Sequence, residues 1–121
     1  MIKKLLLIDD NEQDKKIIKR FLNKAGYHNI VTASTGEEGV EKEKTEDPDL
    51  VITDTVLPGI DGFMVCAKIR EFRGPGKPKV IVITGAIDAV DAVKARKSGA
   101  DDYCAKTSDF MPLLEAIKKL K

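Results

Sequence analysis

The sequence has no stretch of apolar residues as long as the roughly 20 that cross a membrane. Its early apolar run, Leu5–Ile8, is also shorter than the core of a signal peptide, and acidic residues follow it at once. The charges nearly cancel, because 21 lysines and arginines face 20 aspartates and glutamates, for a formal net charge of +1. This balance predicts no strong nonspecific attraction to nucleic acid or to an anionic membrane. We therefore expect a cytoplasmic protein with neither kind of partner.

Cysteine and histidine are scarce. The two cysteines, Cys66 and Cys104, lie far apart and form no Cys-x-x-Cys pattern, so we expect free, buried thiols in a reducing compartment. The only histidine, His28, falls in a predicted turn between a helix and a strand. A surface residue is a simpler interpretation of His28 than a ligand or a phosphodonor. Neither residue type indicates a metal or redox centre.

Five short apolar runs alternate with five longer amphipathic segments. This alternation of strand and helix predicts an α/β fold, in which a parallel sheet carries helices on both faces. A length of 121 residues suits one domain, residues 1–121, and no repeat or linker interrupts it. The predicted strands are residues 5–8, 29–33, 50–53, 80–83 and about 102–105. The predicted helices are residues 12–25, 35 to about 45, 63 to about 72, 89–98 and about 110–120.

The helix boundaries are predicted from capping residues. Asn11 can cap the first helix, and Gly26 can end it. Thr35 and Glu38 have the Thr-x-x-Glu spacing of a capping box at the start of the second helix. Pro112 is tolerable only in the first turn of the last helix.

Chemically active side chains follow most of the predicted strands. Asp9 and Asp10 follow the first strand, Asp54 follows the third, Thr84 ends the fourth, and Lys106 follows the fifth. Ligands of an open parallel sheet bind at the carboxyl ends of its strands. The sequence therefore predicts three carboxylates, one hydroxyl and one ammonium at a single edge of the sheet.

This set of side chains indicates phosphoryl chemistry. Clustered carboxylates repel each other and favour a bound cation, and Mg²⁺ binds one or two carboxylates together with phosphate and water. A carboxylate can also attack a phosphoryl group and form an acyl phosphate. Asp54, Mg²⁺ and Lys106 would supply the nucleophile, the metal and a fixed cation.

The sequence resembles the response-regulator receiver domains of two-component signalling, of the stand-alone, chemotaxis-regulator-like kind. The resemblance covers essentially the whole chain. It implies a flavodoxin-like doubly wound sheet of five parallel strands in the order 2-1-3-4-5, with five helices in a single domain. It rests on four stretches in this order: LLLIDDNE with Asp9 and Asp10, DLVITDTVLPGIDG with Asp54, VIVITGA with Thr84, and GADDYCAK with Tyr103 and Lys106.

The resemblance implies a role for each matched acid. Asp54 is expected to accept the phosphoryl group. Asp10 and Asp54, with the backbone carbonyl of Val56, are expected to ligate Mg²⁺ directly, while Asp9 holds the ion largely through water. The bulky apolar side chain of Val56 leaves the lifetime of the phosphoryl group open.

The resemblance also implies a switch. Lys106 is expected to pair with the phosphoryl oxygens, Thr84 to turn inward and donate a hydrogen bond to them, and Tyr103 to change its packing in response. The donor would be a sensor histidine kinase or a phosphotransfer protein. The face formed by the fourth helix, fifth strand and fifth helix would then bind an unidentified protein. Such a domain supports its own phosphoryl transfer and is not a turnover enzyme.

The sequence departs from the family pattern directly after Lys106. Thr107 follows Lys106 where the family usually has a cis proline, so we expect this peptide to be trans, or strained.

The sequence argues against two alternative functions. A phosphatase with an aspartate nucleophile would need a second acid at position 56, and Val56 is not one. A flavin-binding carrier would not place Asp9 and Asp10 where its phosphate loop belongs. A receiver that docks partners without phosphorylation stays open as the alternative.

Overall fold

Five parallel strands form one sheet in the centre of the molecule. The structure, a computed structural model, describes residues 2–107 and 109–120. The strands are β1 (Leu5–Ile8), β2 (Ile30–Ala33), β3 (Leu50–Asp54), β4 (Lys79–Thr84) and β5 (Asp102–Ala105). They are paired in parallel in the order β2-β1-β3-β4-β5. The predicted doubly wound sheet is therefore confirmed.

Five helices connect the strands, as the alternating pattern predicts. They are α1 (Glu12–Lys24), α2 (Gly36–Glu46), α3 (Gly62–Arg73), α4 (Ala89–Lys97) and α5 (Met111–Lys119). Their bounds differ from the predicted ones by at most one residue at either end, which is within the usual uncertainty at frayed helix ends. Pro112 lies in the first turn of α5, where its missing N–H breaks no hydrogen bond.

Side chains alternate across the sheet, which explains why β1 is apolar throughout. Leu5 and Leu7 point to one face and Leu6 and Ile8 to the other, and none of the four has exposed surface. Two helices therefore cover each face of this strand. On the first face α1 and α5 contribute Ile18, Leu22, Leu113 and Ile117; on the second face α2 and α3 contribute Val40, Val65, Cys66 and Ile69.

Polar side chains hold the starts of the first two helices. The Asn11 side chain accepts a hydrogen bond from the Asp14 N–H at 2.9 Å, as expected for the cap of α1. Thr35 Oγ1 accepts one from the Glu38 N–H at 3.1 Å. The Glu38 carboxylate, however, accepts from the Ser34 N–H at 2.7 Å and not from Thr35. Only half of the predicted capping box is therefore formed as expected. The Glu38 carboxylate binds the N–H of Ser34, one residue before the cap, in the turn between β2 and α2.

The two cysteines are buried and the one histidine is exposed, as predicted. Cys66 and Cys104 are free and buried, and burial raises the pKa of the Cys66 thiol to about 11 and that of Cys104 to about 12. His28 is exposed. Between Lys106 and Thr107 the peptide is trans, since the cis peptide of the described residues precedes Pro78.

The fourth helix buries fewer residues than the others. Ala95 is its one buried residue, and Val90 and Val93 are exposed. Across residues 2–107 and 109–120, the helices are all too short or too polar to span a bilayer.

Candidate functional site

The carboxyl ends of β1, β3, β4 and β5 bring the predicted side chains to one edge of the sheet. Asp9 directly follows β1 and is completely buried, whereas Asp10 points outward and is exposed. Asp54 is the last residue of β3 and not the first residue after it, so the strand itself fixes its backbone. Thr84 ends β4, and Lys106 follows β5.

Lys106 connects the acids. Its Nζ lies 2.7 Å from Asp9 Oδ2, 2.8 Å from Asp54 Oδ2 and 2.9 Å from Asp14 Oδ2. Burial by itself would lower the pKa of Lys106, but these hydrogen bonds outweigh burial and raise the pKa above its usual value. Lys106 is therefore a permanent cation at the edge of the sheet, and all three of its ammonium protons have carboxylate acceptors.

Burial disfavours the charged form of Asp9. Burial raises the pKa of this carboxyl by more than its hydrogen bonds lower it; these come from Lys106 and from the Asn11 N–H, at 2.9 Å. Asp9, Asp10 and Asp54 each offer a carboxylate oxygen, and these three oxygens lie within 4.8 Å of one another. Three hard oxygen donors at this spacing fit a hard cation such as Mg²⁺, which would also offset their mutual repulsion.

The loop after Asp54 is fixed at both of its ends. The Val56 N–H lies 3.4 Å from Asp54 Oδ1, a long hydrogen bond that keeps the Val56 backbone beside the carboxylate. The Val56 side chain points into solvent and is 75% exposed. At the far end of the loop the Ile60 N–H donates to Glu37 Oε2 at 3.3 Å. The N–H of Val56 is thereby kept beside Asp54, while its side chain contributes no charge, and the role of its carbonyl as a ligand stays a prediction.

Two further predicted residues lie on the side of the site that faces α4. The Thr84 hydroxyl donates to the Ala86 carbonyl at 3.1 Å and accepts from the Ala86 N–H at 3.3 Å, so it serves the adjoining loop and not Asp54. The Tyr103 hydroxyl accepts a hydrogen bond from the Asp88 N–H at 3.3 Å. Thr84 and Tyr103 therefore both contact the segment that leads into α4.

A family model described as the response regulator receiver domain matches residues 5–118. The chain belongs to this family. It is 41% identical over 102 residues to the transcriptional regulatory protein AfsQ1 of Streptomyces coelicolor, a match that covers 84% of this chain and 44% of that protein. It is 37% identical over 106 residues to the alkaline phosphatase synthesis transcriptional regulatory protein PhoP of Bacillus subtilis, covering 88% and 43%.

Solved structures of receivers superpose on nearly the whole chain. The response regulator TrrA of Thermotoga maritima, in complex with Mg²⁺ and beryllofluoride, has a TM-score of 0.88 and 33% identity and covers 99% of this chain and 100% of that one. A receiver domain protein of Methanospirillum hungatei has a TM-score of 0.86 and 31% identity, covering 99% and 94%. This chain spans less than half the length of the curated relatives it matches. The stand-alone arrangement and the extent 1–121 therefore stay predictions, as does a cytoplasmic location.

The receiver has site residues that the strand ends do not reveal. Asp14 lies in the first turn of α1 and supplies the third carboxylate that contacts Lys106. Thr55 is buried and its hydroxyl lies 3.4 Å from that of Thr84. Gly62 begins α3 so close to β3 that a Cβ there would overlap the Asp54 carbonyl oxygen. Thr55 directly follows Asp54 in the sequence, and Asp14 lies in the helical turn after the cap Asn11, so position in the chain places both near the site but does not indicate their contacts.

Proposed function

We propose that this receiver is a phosphorylation-dependent switch in which Asp54 accepts a phosphoryl group from a sensor histidine kinase or a phosphotransfer protein. One observation carries the proposal: the Asp54 carboxylate contacts a fixed ammonium, 2.8 Å away on Lys106, and also belongs to a cluster with Asp9 and Asp10 that can hold a cation. A nucleophile that adjoins two sites for positive charge is arranged to attack an anionic phosphoryl group.

The transfer needs no reactant besides the phosphohistidine of the donor. One Asp54 oxygen attacks phosphorus, the P–N bond of the phosphohistidine breaks, and its electron pair returns to the imidazole nitrogen. The product is an acyl phosphate on Asp54, which water later hydrolyses to carboxylate and phosphate. Lys106 neutralises part of the charge on the phosphoryl oxygens throughout, as a charge-assisted hydrogen-bond donor.

The acids supply the place for Mg²⁺. We assign Asp10, Asp54 and the Val56 carbonyl as direct ligands, and Asp9 as a largely water-mediated one. Both the burial of Asp9 behind Lys106 and the exposure of Asp10 support these unequal roles. When bound, the ion would neutralise charge on the phosphoryl oxygens.

The readout passes through Thr84 and Tyr103. A hydrogen bond from Thr84 to the phosphoryl group would take the hydroxyl away from Ala86 and release the loop before α4. Such a bond to a charged group is worth roughly 1.5–3 kcal/mol, whereas moving a switch from 1:99 to 99:1 needs about 5.5 kcal/mol. Lys106, or the protein that binds the face of α4, β5 and α5, must therefore contribute the rest.

The proposal is tested by phosphorylation with a small donor. Wild-type protein incubated with acetyl phosphate and Mg²⁺ is expected to gain the mass of one phosphoryl group, because the donor needs no partner protein. Asp54→Asn is expected to gain none. Asp47→Asn is the matched control, since Asp47 is an exposed aspartate at the end of α2, remote from Lys106.

Two results would contradict the proposal. Phosphoryl mass that persists in Asp54→Asn would move the acceptor elsewhere. Wild-type protein that gains no mass from acetyl phosphate would favour the alternative, a receiver that docks its partners without phosphorylation.

A further inference from the structure

Lys106 contacts one carboxylate to which the proposed function gives no role. Asp14 Oδ2 lies 2.9 Å from Lys106 Nζ, and the two residues are 92 positions apart in the chain. The Asp14 side chain is 34% exposed and that of Lys106 is 13% exposed, so both members of the pair are largely shielded from water. The contact is therefore a partly buried ion pair at the rim of the site, less exposed than an ordinary ion pair on the surface.

The helix start holds Asp14 in place independently of Lys106. The Asp14 N–H donates to the side chain of Asn11 at 2.9 Å, which fixes the first turn of α1. A carboxylate in the first turn of a helix is also stabilised by the partial positive charge of the helix N-terminus. The backbone of Asp14 is thus fixed, and its short side chain offers an anchor for the flexible four-carbon stem of Lys106.

Asp14 stays available when the other two acceptors are engaged. The three acids that can share a cation are Asp9, Asp10 and Asp54, and Asp14 is not among them. Once Asp54 carries a phosphoryl group, its carboxylate is an anhydride and has lost its full charge. A cation beside Asp9 would likewise draw that carboxylate away from Lys106.

We propose that Asp14 is a positioning residue, which holds the Lys106 ammonium at the site while Asp9 and Asp54 bind the cation and the phosphoryl group. This inference rests on the proposed function. Without the anchor, Lys106 would have to give up rotamer freedom each time a phosphoryl group arrives. With the anchor, that ordering is already in place before the phosphoryl group binds.

The test uses beryllofluoride, a phosphoryl mimic, at saturating Mg²⁺, with its dissociation constant measured by calorimetry. Asp14→Asn keeps the size of the side chain and removes its charge, and it is expected to weaken beryllofluoride binding about three- to tenfold. Asp14→Leu removes both acceptor oxygens and is expected to weaken it at least as much. Glu12→Gln is the matched control: it removes one charge from the same helical turn, but Glu12 pairs with Lys15 and not with Lys106.

A second readout follows the lysine directly in the metal-free protein. The ¹⁵N NMR signal of the Lys106 ammonium is expected to show slow proton exchange in wild type and in Glu12→Gln, because three carboxylates protect it. Exchange is expected to be faster in Asp14→Asn and Asp14→Leu. A structural role of Asp14 in capping α1 would lower the melting temperature without this change at Lys106.

Each contrary result has a distinct meaning. If wild-type protein binds no beryllofluoride, the proposed function and this inference fail together. If wild type binds but both Asp14 variants bind equally well, or their Lys106 signal is unchanged, the inference alone fails. If Glu12→Gln weakens binding as much as Asp14→Asn, the effect is long-range charge and the positioning role is wrong.

Discussion

Asp9 shows, at the scale of one residue, how the receiver stores unfavourable charge in its site. Its carboxylate has no exposed surface and accepts hydrogen bonds from Lys106 and from the Asn11 N–H. Burial nevertheless raises its pKa above 3.8, its value in an unfolded chain. An ionised Asp9 therefore costs the folded protein free energy when no further cation is present.

We expect the contribution of Asp9 to the free energy of unfolding to fall as pH rises in metal-free protein. Below pH 3.8 the carboxyl is protonated in both states and its contribution is complete. As pH rises, the unfolded chain ionises first, and the contribution is lost until the pH passes the raised pKa of the folded state. Urea unfolding of wild type and Asp9→Asn from about pH 4 to about pH 7 gives the free energy of unfolding of each protein. The free energy of wild type minus that of the variant is expected to fall as the pH rises.

Other carboxylates titrate in the same range, but they cancel in the difference between the two proteins. A difference that is independent of pH would mean that Lys106 and Asn11 fully compensate the burial of Asp9. A difference that shifts in favour of wild type would contradict the raised pKa itself.

At the scale of elements, α4 differs from its neighbours in what holds it. Ala95 is its one buried residue, whereas α1 buries Ile18 and Leu22 completely. Its start depends on Asp88, whose Oδ1 accepts from the Val90 N–H at 2.7 Å and the Asp91 N–H at 3.3 Å. A helix with little buried apolar surface is readily moved, which suits the face that is proposed to change on phosphorylation.

We expect α4 to exchange its amide protons faster than α1, as measured by hydrogen–deuterium exchange. Asp88→Ala is expected to speed exchange in α4 about fivefold, because a lost N-cap costs about 1 kcal/mol. Asn11→Ala is the matched variant, since it removes the N-cap of a helix that is also held by core packing. Exchange in α4 as slow as in α1, or unaffected by Asp88→Ala, would show that other contacts hold the helix.

The elements themselves could be predicted from local patterns, because each one is bounded by its own signals. β5 was predicted at residues 102–105 and is observed there, although it is short and only partly buried. Even α4 is predictable, because a glycine, Gly99, can end it; the structure gives Gly99 a φ of +97°, directly after the helix. Alternation of strands and helices then leaves few topologies, and the carboxyl ends of the strands bring Asp54 and Lys106 together.

Contacts between distant side chains could not be predicted in this way. Nothing in the local pattern around Asp14 or Thr55 distinguishes a capping or strand-end residue from one that reaches Lys106 or Thr84. Glu43, which is fully buried and bound by Arg73 at 3.0 Å, falls in a helix of mostly polar residues. Such pairs depend on how two elements meet in space, and sequence periodicity describes only one element at a time.

At the scale of the whole molecule, overall charge and local charge disagree. The formal net charge is +1, yet three carboxylates contact the one ammonium of Lys106, and a fourth, that of Asp10, lies in a cluster with Asp9 and Asp54. Salt screens exposed charges, but it screens the buried Asp9 much less. The metal-free receiver therefore holds a local excess of negative charge that folding must tolerate.

We expect Mg²⁺ to raise the melting temperature of the receiver at neutral pH, because a ligand that binds only the folded state stabilises it. At ten times the dissociation constant the gain is about 1.4 kcal/mol. That corresponds to roughly 4–8 °C for a domain of this size. Thermal unfolding followed by circular dichroism at increasing millimolar Mg²⁺ measures the shift.

The shift should belong to the acid cluster and not to ionic strength. Potassium chloride at matched ionic strength is expected to change the melting temperature much less, since it only screens exposed charges. Asp10→Asn and Asp54→Asn are each expected to reduce the Mg²⁺ shift and to raise the melting temperature of the metal-free protein, because each removes a like charge. A melting temperature unchanged by millimolar Mg²⁺ in wild type would mean that Lys106 already balances the cluster and that the acids hold no metal.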